Sequence, residues 1–204
     1  MNPRVFREYD IRGVADRDLD DETVRAIGNA IGAGANGAVV VGRDCRLTSP
    51  RLFAQLTDGI RVHAEVIDIG VVPTPVLYFA AHQLESAAAV MITGSHNPPE
   101  DNGFKLMRGT DTLYGPAIAE LRDQVTKILE RPASPPGKPM HSRDIIGAYH
   151  QYADTQLKIG GRKVKLVVDA GNGSGGPTAV ALYRRLGFEV IPLYCDLDGR
   201  FPNH

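Results

Sequence analysis

A serine stands directly beside a histidine at the point where an apolar, strand-like run ends. The run Ala87–Ile92 is followed by Thr-Gly-Ser-His-Asn-Pro-Pro, which places Ser95 and His96 in a loop. The G-x-S-x-G pattern of a hydrolase nucleophile fails, because Thr93 and Asn97 occupy the glycine positions. Ser, Asn and Gly are also ordinary turn residues. Residue types alone therefore favour a hydrogen-bonded turn over a reactive serine.

A lysine in the following segment favours a different interpretation. Asn102-Gly103 is a tight-turn signal, and Phe104–Met107 is predicted to leave it as a strand that brings Lys105 near Ser95. Histidine and lysine beside a serine suit a phosphoserine, which carries a charge of about −1.5 to −2 and three strong acceptor oxygens. Cations and N–H donors have to surround such a group. Phosphoryl transfer is therefore the predicted chemistry if the serine is more than a turn residue.

Two further loops could supply positive charge to that site. Arg12, in F-R-E-Y-D-I-R-G, lies at a predicted turn and could hold a phosphate through two parallel hydrogen bonds. Arg43 and Arg46 follow the predicted strand 39–41 at its carboxyl end, where α/β sheets bind ligands. An ordinary surface arginine is the alternative for Arg12. For Ser49, in the same loop as Arg46, a helix cap is the preferred interpretation.

The apolar pattern predicts an α/β fold around these loops. Residues 39–41 and 66–69 read as strands, and a helical stripe over 52–60 joins them into a βαβ unit with parallel strands. The same order returns in a second unit with strand 165–168, helix 179–186 and strand 189–191. Two further helices are predicted at 24–31 and 118–129. The expected fold is a mixed, mostly parallel sheet between helices, with a βαβ unit repeated in a second, incomplete domain.

A proline-rich segment divides the chain. Residues 131–140 read R-P-A-S-P-P-G-K-P-M and cannot hold a regular element. The predicted domains are therefore 1–141, which bears the serine loop, and 142–204, the start of a related domain. Because two strands make a poor independent unit, we expect the chain to be the front part of a longer protein.

Composition excludes several classes of function. The 204 residues carry a formal net charge of −1, which argues against a general nucleic-acid or membrane-surface binder. No apolar run approaches the length of a membrane span, and the N-terminus lacks the apolar core of a signal peptide. The two cysteines show neither metal spacing nor a disulfide framework. A cytoplasmic location is expected.

Three motifs together resemble those of the α-D-phosphohexomutase family, and of its bacterial phosphomannomutase/phosphoglucomutase branch in particular. They are Y-D-I-R-G at 9–13, T-G-S-H-N-P at 93–98 and N-G-F-K at 102–105. The resemblance covers all 204 residues, and the serine loop is its most specific part. It implies interconversion of hexose 6-phosphate and hexose 1-phosphate, of mannose or glucose, through an active-site phosphoserine and a bisphosphorylated sugar.

The resemblance also implies roles for individual residues. Ser95 would carry the phosphoryl group, and Lys105 would be its general acid/base or charge partner. Arg12 would bind the phosphoserine, with Tyr9 nearby. His96 is predicted to belong to the catalytic residues, and Asn97 and Arg43 to the phosphate-binding residues. His96 and Asn97 would also shape the loop by hydrogen bonds.

A cofactor and an activator follow from the same resemblance. Mg²⁺ would be held by a phosphate oxygen on Ser95 and by aspartates of an Asp-Gly-Asp-x-Asp-Arg loop, and hexose 1,6-bisphosphate would act as activator. The sequence departs from the family here, because Asp196-Leu197-Asp198-Gly199 does not match that loop. The sequence also lacks the domains that would recognise the sugar and bind its distal phosphate. We therefore expect the phosphorylated hexose to need the missing C-terminal domains, and the chain alone to be inactive.

A glycine motif supports an alternative function. Gly171–Gly176 satisfies G-x-G-x-x-G between a strand and a helix, and Asp196 follows at about the twenty-residue distance of a ribose-binding acid. A dinucleotide-binding protein is therefore the alternative. Against it, Asp169-Ala170 delay the first glycine, and Pro177 suggests that the helix begins only after the motif. A non-catalytic phosphosugar-binding fragment is the third candidate.

Overall fold

The computed structural model describes residues 1–132, 134–162 and 164–203. Within these ranges the strands are β1 Ile11–Val14, β2 Val39–Arg43, β3 Val66–Val71, β4 Ala88–Ile92, β5 Asp101–Arg108, β6 Asp111–Thr112, β7 Met140–Ser142, β8 Lys165–Asp169 and β9 Glu189–Leu193. The helices are α1 Ala15–Asp18, α2 Asp21–Gly34, α3 Ser49–Ile60, α4 Thr74–Gln83, α5 Pro116–Leu129, α6 Ile146–Gln156 and α7 Gly175–Arg185, after a 3-10 turn at Pro3–Val5. Ala133 of the predicted linker and His204 of the predicted second domain lie outside the described residues.

The strands β1 to β7 form one sheet in the order β1-β5-β4-β2-β3-β7, with β6 paired to β5. Strand β2 is parallel to both β3 and β4, and β7 is parallel to β3. Strand β5 runs antiparallel to β4 and to β1. The predicted βαβ unit is confirmed as β2-α3-β3, and β1 and β5 form an antiparallel end of the sheet.

Alternate residues of the central strands face two helical layers. Val39 and Val41 of β2 belong to the core that α2, α3 and α5 share, and Val40 belongs to the core on the α4 side. Because both faces are covered, the central strands read as unbroken apolar runs instead of alternating with polar residues. The predicted α/β class, with a mixed, mostly parallel sheet between helices, is confirmed.

The predicted turn at Asn102-Gly103 is wrong, because both residues lie inside β5. Gly103 pairs with Arg12 of β1, and a Cβ on Gly103 would lie 2.0 Å from the Ile11 carbonyl oxygen. The glycine therefore permits close approach of two backbones and does not reverse the chain. Asn102 is fully buried, and its amide donates to the Ser49 hydroxyl at 3.0 Å.

The predicted cap at Ser49 is also wrong. Ser49 is the first residue of α3, and its hydroxyl donates to the Asp44 carboxylate at 2.6 Å. Thr48 holds the N-cap position but makes no capping bond through its side chain. Its hydroxyl instead accepts a hydrogen bond from Asn102 at 2.9 Å. The hydroxyls at the start of α3 therefore connect this helix to the β2–α3 loop and to β5.

The second predicted unit is confirmed as β8-α7-β9, with β8 and β9 parallel. Between the two units, β7 extends the first sheet through Ser142 by pairing with β3. The boundary after residue 141 stays a prediction. Among the helices of the described ranges, none is both long and apolar enough to cross a membrane.

Candidate active site

The serine loop leaves the carboxyl end of β4, as predicted. Thr93 N–H still donates to the Gly103 carbonyl of β5, and its hydroxyl accepts a hydrogen bond from Ser95 N–H at 2.9 Å. Ser95 then adopts a φ of +58°, a left-handed conformation that is uncommon for a residue other than glycine. Such backbone geometry persists only where the surroundings enforce it, and it is concentrated at functional sites.

The serine side chain is exposed, and the neighbouring histidine is its partner. Ser95 Oγ lies 3.4 Å from His96 Nδ1, at the long end of the hydrogen-bonding range. Both side chains are open to solvent. A hydroxyl in this position is accessible to a ligand, whereas a structural turn serine would direct its hydroxyl back to the chain.

An arginine from β1 reaches the same loop. Arg12 donates from Nη1 to Asn97 Oδ1 at 2.7 Å and from Nη2 to the Asp10 carboxylate. The other end of the Asn97 amide donates to Asp101 Oδ2 at 2.7 Å. Both ends of Asn97 are therefore engaged in shaping the loop. The structure places Arg12 and Asn97 in direct contact, and their roles at the site stay predictions.

A lysine shares the carboxylate that holds this arginine. Lys105 lies on β5 opposite Met91 of β4, and its Nζ is 3.6 Å from Asp10 Oδ2. Asp10 is buried and lies between the two cations. Within this trio two positive charges face one negative charge, so one positive charge is left to attract an anion.

Two of the predicted phosphate-binding residues have different surroundings. Tyr9 is 68% exposed at the entrance to β1. The Arg43 guanidinium donates to Asp68 at 2.8 Å and lies 4.2 Å above the Phe53 ring. Among the described residues, Arg43 does not line the cleft beside Ser95. A phosphate-binding role for Arg43 stays a prediction without support from this geometry.

Arg46 contributes in a way that sequence reasoning missed. It was expected to supply charge to a ligand, but its side chain is 3% exposed and lies beneath the serine loop. It donates to four backbone carbonyls, those of Ser95, Asn97 and Pro98 in the loop and that of Asp101 at the start of β5. The available signal was the proline pair in the loop, because prolines remove N–H donors and leave carbonyls for another group to satisfy.

The serine loop and the glycine motif line the same cleft. The cleft has a volume of about 490 Å³. One side carries Arg46 and the serine loop from Ser95 to Pro99, and the other carries Ala170, Gly171 and Gly173, with Phe201. The two α/β units therefore meet where a phosphorylated ligand could contact both.

The glycine motif has a clear packing role. A Cβ on Gly176 would lie 2.3 Å from the Cys195 carbonyl oxygen, and Asn172 adopts a φ of +63°. The Asn172 amide donates to the Asp196 carbonyl at 3.0 Å. The expectation based on Pro177 is wrong, because α7 begins at Gly175, inside the motif. The helix start thus agrees with a dinucleotide motif, while the close packing explains the glycine without a ligand.

The described residues do not form a magnesium site by themselves. No group of three His, Cys, Asp or Glu side chains in the described ranges could hold a metal ion. Ser95, the metal ligand predicted through its phosphate, is an exposed hydroxyl in this structure. Hard-cation sites need several oxygen ligands, so this donor set does not fit Mg²⁺.

Comparison with known proteins identifies the family. Residues 3–132 match the model of the phosphoglucomutase/phosphomannomutase α/β/α domain I. The chain is 44% identical to a phosphoglucomutase of Neisseria gonorrhoeae and 45% identical to a phosphomannomutase/phosphoglucomutase of Pseudomonas aeruginosa. Each match covers 98% of this chain, but only 44% and 43% of the relatives.

A solved structure agrees with these matches. A phosphoglucomutase/phosphomannomutase family protein from Burkholderia thailandensis superposes with a TM-score of 0.90 at 39% identity, over 100% of this chain and 46% of that one. This chain thus spans less than half the length of the relatives it matches. The predicted family is confirmed: the chain belongs to the phosphoglucomutase/phosphomannomutase family.

Proposed function

We propose that this chain is the phosphoserine-bearing part of a mutase that interconverts hexose 6-phosphate and hexose 1-phosphate. The observation that supports this most is the exposed Ser95 hydroxyl, which stands in a left-handed loop bound to Arg12 through Asn97. Relatives of this chain carry the names phosphoglucomutase and phosphomannomutase. An exposed serine hydroxyl close to positively charged side chains suits the transfer of a phosphoryl group, which is the class of reaction that those names indicate.

The proposed reaction exchanges one phosphoryl group between serine and sugar. A hydroxyl oxygen of the sugar monophosphate attacks the phosphorus on Ser95, forming a new O–P bond as the bond from Ser95 Oγ to phosphorus breaks. Oγ gains a proton, and the attacking hydroxyl loses one. The bisphosphorylated sugar then returns its other phosphate to Ser95, so that no net phosphate is gained or lost.

The cations near the loop would stabilise this transfer. Negative charge spreads over the oxygens of the moving phosphoryl group, and fixed positive groups lower the barrier because they need no reorganisation. Arg12 is held in place by Asp10 and Asn97 and can present its guanidinium to the phosphate. Lys105, on the far side of Asp10, is the proposed proton carrier between sugar hydroxyl and serine.

The remainder of a complete site lies beyond what these residues provide. The sugar and its second phosphate would be bound by segments of the whole protein that correspond to the parts of the relatives outside this match. Mg²⁺ and activation by hexose 1,6-bisphosphate are proposed for the whole protein, and no step here depends on the metal. The chain alone is expected to be inactive, because substrate positioning is a large part of the rate enhancement. A cytoplasmic location belongs to the same proposal.

Interconversion of mannose or glucose 6-phosphate and 1-phosphate tests the proposal. The assay compares the full protein with its Ser95→Ala variant, and the exposed Ser142 of β7 supplies a matched Ser142→Ala control. We expect Ser95→Ala to abolish turnover and Ser142→Ala to retain it. Turnover by Ser95→Ala at the parental rate would show that the serine is not the phosphoryl carrier.

A further inference from the structure

The Arg46 guanidinium has all of its donors engaged inside the protein. A guanidinium carries five N–H donors. Nε donates to Asp44 at 3.2 Å. The four Nη donors are directed at four backbone carbonyls: Ser95 at 3.1 Å, Asn97 at 2.8 Å and Pro98 in the loop, and Asp101 at 3.0 Å at the start of β5. None of these donors is left for a phosphate. The charge of Arg46 is balanced by the buried Asp44.

The serine loop depends on this arginine for its shape. Pro98 and Pro99 have no N–H, so the loop has fewer donors than acceptors. A carbonyl without a partner is costly, and an arginine fork can serve several at once. Lysine at this position would keep the charge but would offer only one compact donor group. Gly94 lets the Arg46 guanidinium approach the loop backbone, because a Cβ on Gly94 would lie 2.6 Å from Arg46 Cζ.

The bonds to Arg46 fix the orientation of the serine backbone. The Ser95 carbonyl points toward the guanidinium, and the planar trans peptide then directs the His96 N–H to the opposite side. The Ser95 N–H is held by the Thr93 hydroxyl, so hydrogen bonds hold the peptide groups on both sides of this residue, whose φ is +58°. Phe201 covers the arginine from the second unit, with its ring centre 5.2 Å from Arg46 Cζ.

We propose that Arg46 is the positioning residue that holds Ser95 in its transfer-competent conformation, covered by Phe201 and without contacting the substrate. The step it supports is the one proposed above. Ser95 Oγ takes a phosphoryl group from a hexose 1,6-bisphosphate, the bond from phosphorus to the sugar oxygen breaks, and the serine proton ends on that oxygen. The inference rests on the proposed function for its kinetic readout, and its structural readout is independent of that function.

The test compares two arginine-to-lysine variants of the full protein. Arg46→Lys is the probe. Arg61→Lys is the matched control, because Arg61 also donates to a backbone carbonyl, that of Lys138, but lies at the opposite end of α3 from Arg46 and the serine loop. Two quantities are measured: the rate and half-saturating concentration for phosphorylation of Ser95 by glucose 1,6-bisphosphate, and hydrogen–deuterium exchange over residues 94–101.

We expect Arg46→Lys to lower the maximal phosphorylation rate by about 100-fold, as a small misplacement of a reacting group does, while the half-saturating concentration changes little. Amide exchange over 94–101 should rise, and Arg61→Lys should change neither quantity. A parental rate in Arg46→Lys would overturn the inference. A higher half-saturating concentration with unchanged amide exchange in the loop would also overturn it, because that result would make Arg46 a ligand-binding cation.

A milder variant keeps the inference testable if Arg46→Lys does not fold. Phe201→Leu removes the aromatic cover and leaves the arginine in place. It should raise loop exchange and slow phosphorylation in the same direction as Arg46→Lys, and unchanged values for both would overturn the inference. Ser95→Ala separates the two proposals: phosphorylation that survives in Ser95→Ala contradicts the proposed function, whereas a parental rate on Ser95 in Arg46→Lys contradicts only the positioning role.

Discussion

Arg12 and Asn97 are joined by a hydrogen bond of 2.7 Å across 85 positions of sequence. This bond connects the antiparallel edge strand β1 to the loop that follows β4. Asp10 holds the other side of the guanidinium, and Asp101 holds the other end of the amide. The Arg12 guanidinium is thus fixed from both sides before any ligand arrives, which is the preorganisation that phosphoryl transfer needs.

Removal of the Asn97 amide should release Arg12. In Asn97→Ala the guanidinium keeps Asp10 but loses its contact with the loop, so the rate of Ser95 phosphorylation should fall by up to about 100-fold. Global stability should change little, because Asn97 is only partly buried. Rapid-quench kinetics with hexose 1,6-bisphosphate would measure the phosphorylation rate, and thermal unfolding would monitor the stability of the fold. A parental rate in this variant would remove the positioning role of Asn97.

Lys105→Ala separates turnover from binding. If Lys105 carries a proton during transfer, its loss should lower kcat by about 100-fold or more and leave KM nearly unchanged. Lys105→Arg keeps the charge next to Asp10 but has a much higher pKa, so it should recover little of the rate. Steady-state kinetics on hexose 1-phosphate would give both constants. A rise in KM at constant kcat would instead assign Lys105 to substrate binding.

Gly103→Ala tests the close approach of β1 and β5. A Cβ at this position would lie 2.0 Å from the Ile11 carbonyl oxygen, so the strands must separate, at a cost of about 1–3 kcal/mol in the free energy of unfolding. Gly147→Ala is the control, because nothing lies within 4 Å of its added Cβ near the start of α6. The control should gain up to about 1 kcal/mol. Urea unfolding would measure the free energy of unfolding of both variants and of the parent. A Gly103→Ala variant as stable as the parent would contradict the predicted clash.

Acid should weaken the fold through Asp18. The hydrogen bond from Arg17 holds the pKa of Asp18 well below its usual range, with help from Asn2 and from the Val14 N–H, although burial opposes the shift. A lowered folded-state pKa means that this carboxylate stabilises the protein fully above about pH 4 and loses its effect as the pH falls further.

Asp18→Asn should therefore reduce stability at neutral pH and flatten its acid dependence. Urea midpoints at about pH 5 and about pH 3 would measure the difference for the parent and the variant. The exposed Asp123 of α5 provides the matched control Asp123→Asn, which should retain the parental difference. An equal acid dependence in the parent and in Asp18→Asn would show that Asp18 does not contribute it.

Local patterns predicted the elements that lie between the helical layers. The β-branched run at 39–41 and the apolar run at 88–92 had to be strands, because residues buried on both faces of a sheet are apolar without interruption. Helices α3 and α5 were predictable because each exposes one polar side, which leaves a clear apolar stripe. The position of the serine loop at the end of a strand followed from the same runs.

Helix α4 was not predicted, because neighbouring elements cover it on more than one side. Helix α4 has apolar residues around most of its surface, since one side packs on the sheet and Phe79 packs on Tyr149 of α6, with ring centres 5.5 Å apart. It therefore lacks the polar stripe that marks a helix in a sequence. Asn102-Gly103 was misread for a related reason. The strand that demands a glycine there lies about ninety residues away in sequence, and a local turn signal cannot report on it.

Residue types predicted candidates for the site but not their contacts. Ser95, His96 and Lys105 carry recognisable chemistry, so the sequence could nominate them, and their roles stay predictions. Arg46 was assigned to the wrong task, because only the fold shows that its guanidinium lies under the loop and has no donor left for a ligand. Long-range hydrogen bonds of this kind leave no periodic pattern in the sequence.

The location of the transferred phosphate tests directly whether Ser95 carries the phosphoryl group. The full protein is incubated with glucose 1,6-bisphosphate, digested, and searched for phosphopeptides by tandem mass spectrometry. We expect phosphate on Ser95, in the peptide that contains Thr-Gly-Ser-His-Asn, and no phosphopeptide in Ser95→Ala. Phosphate on another residue, or equal labelling of the alanine variant, would contradict the proposal that Ser95 carries the phosphoryl group.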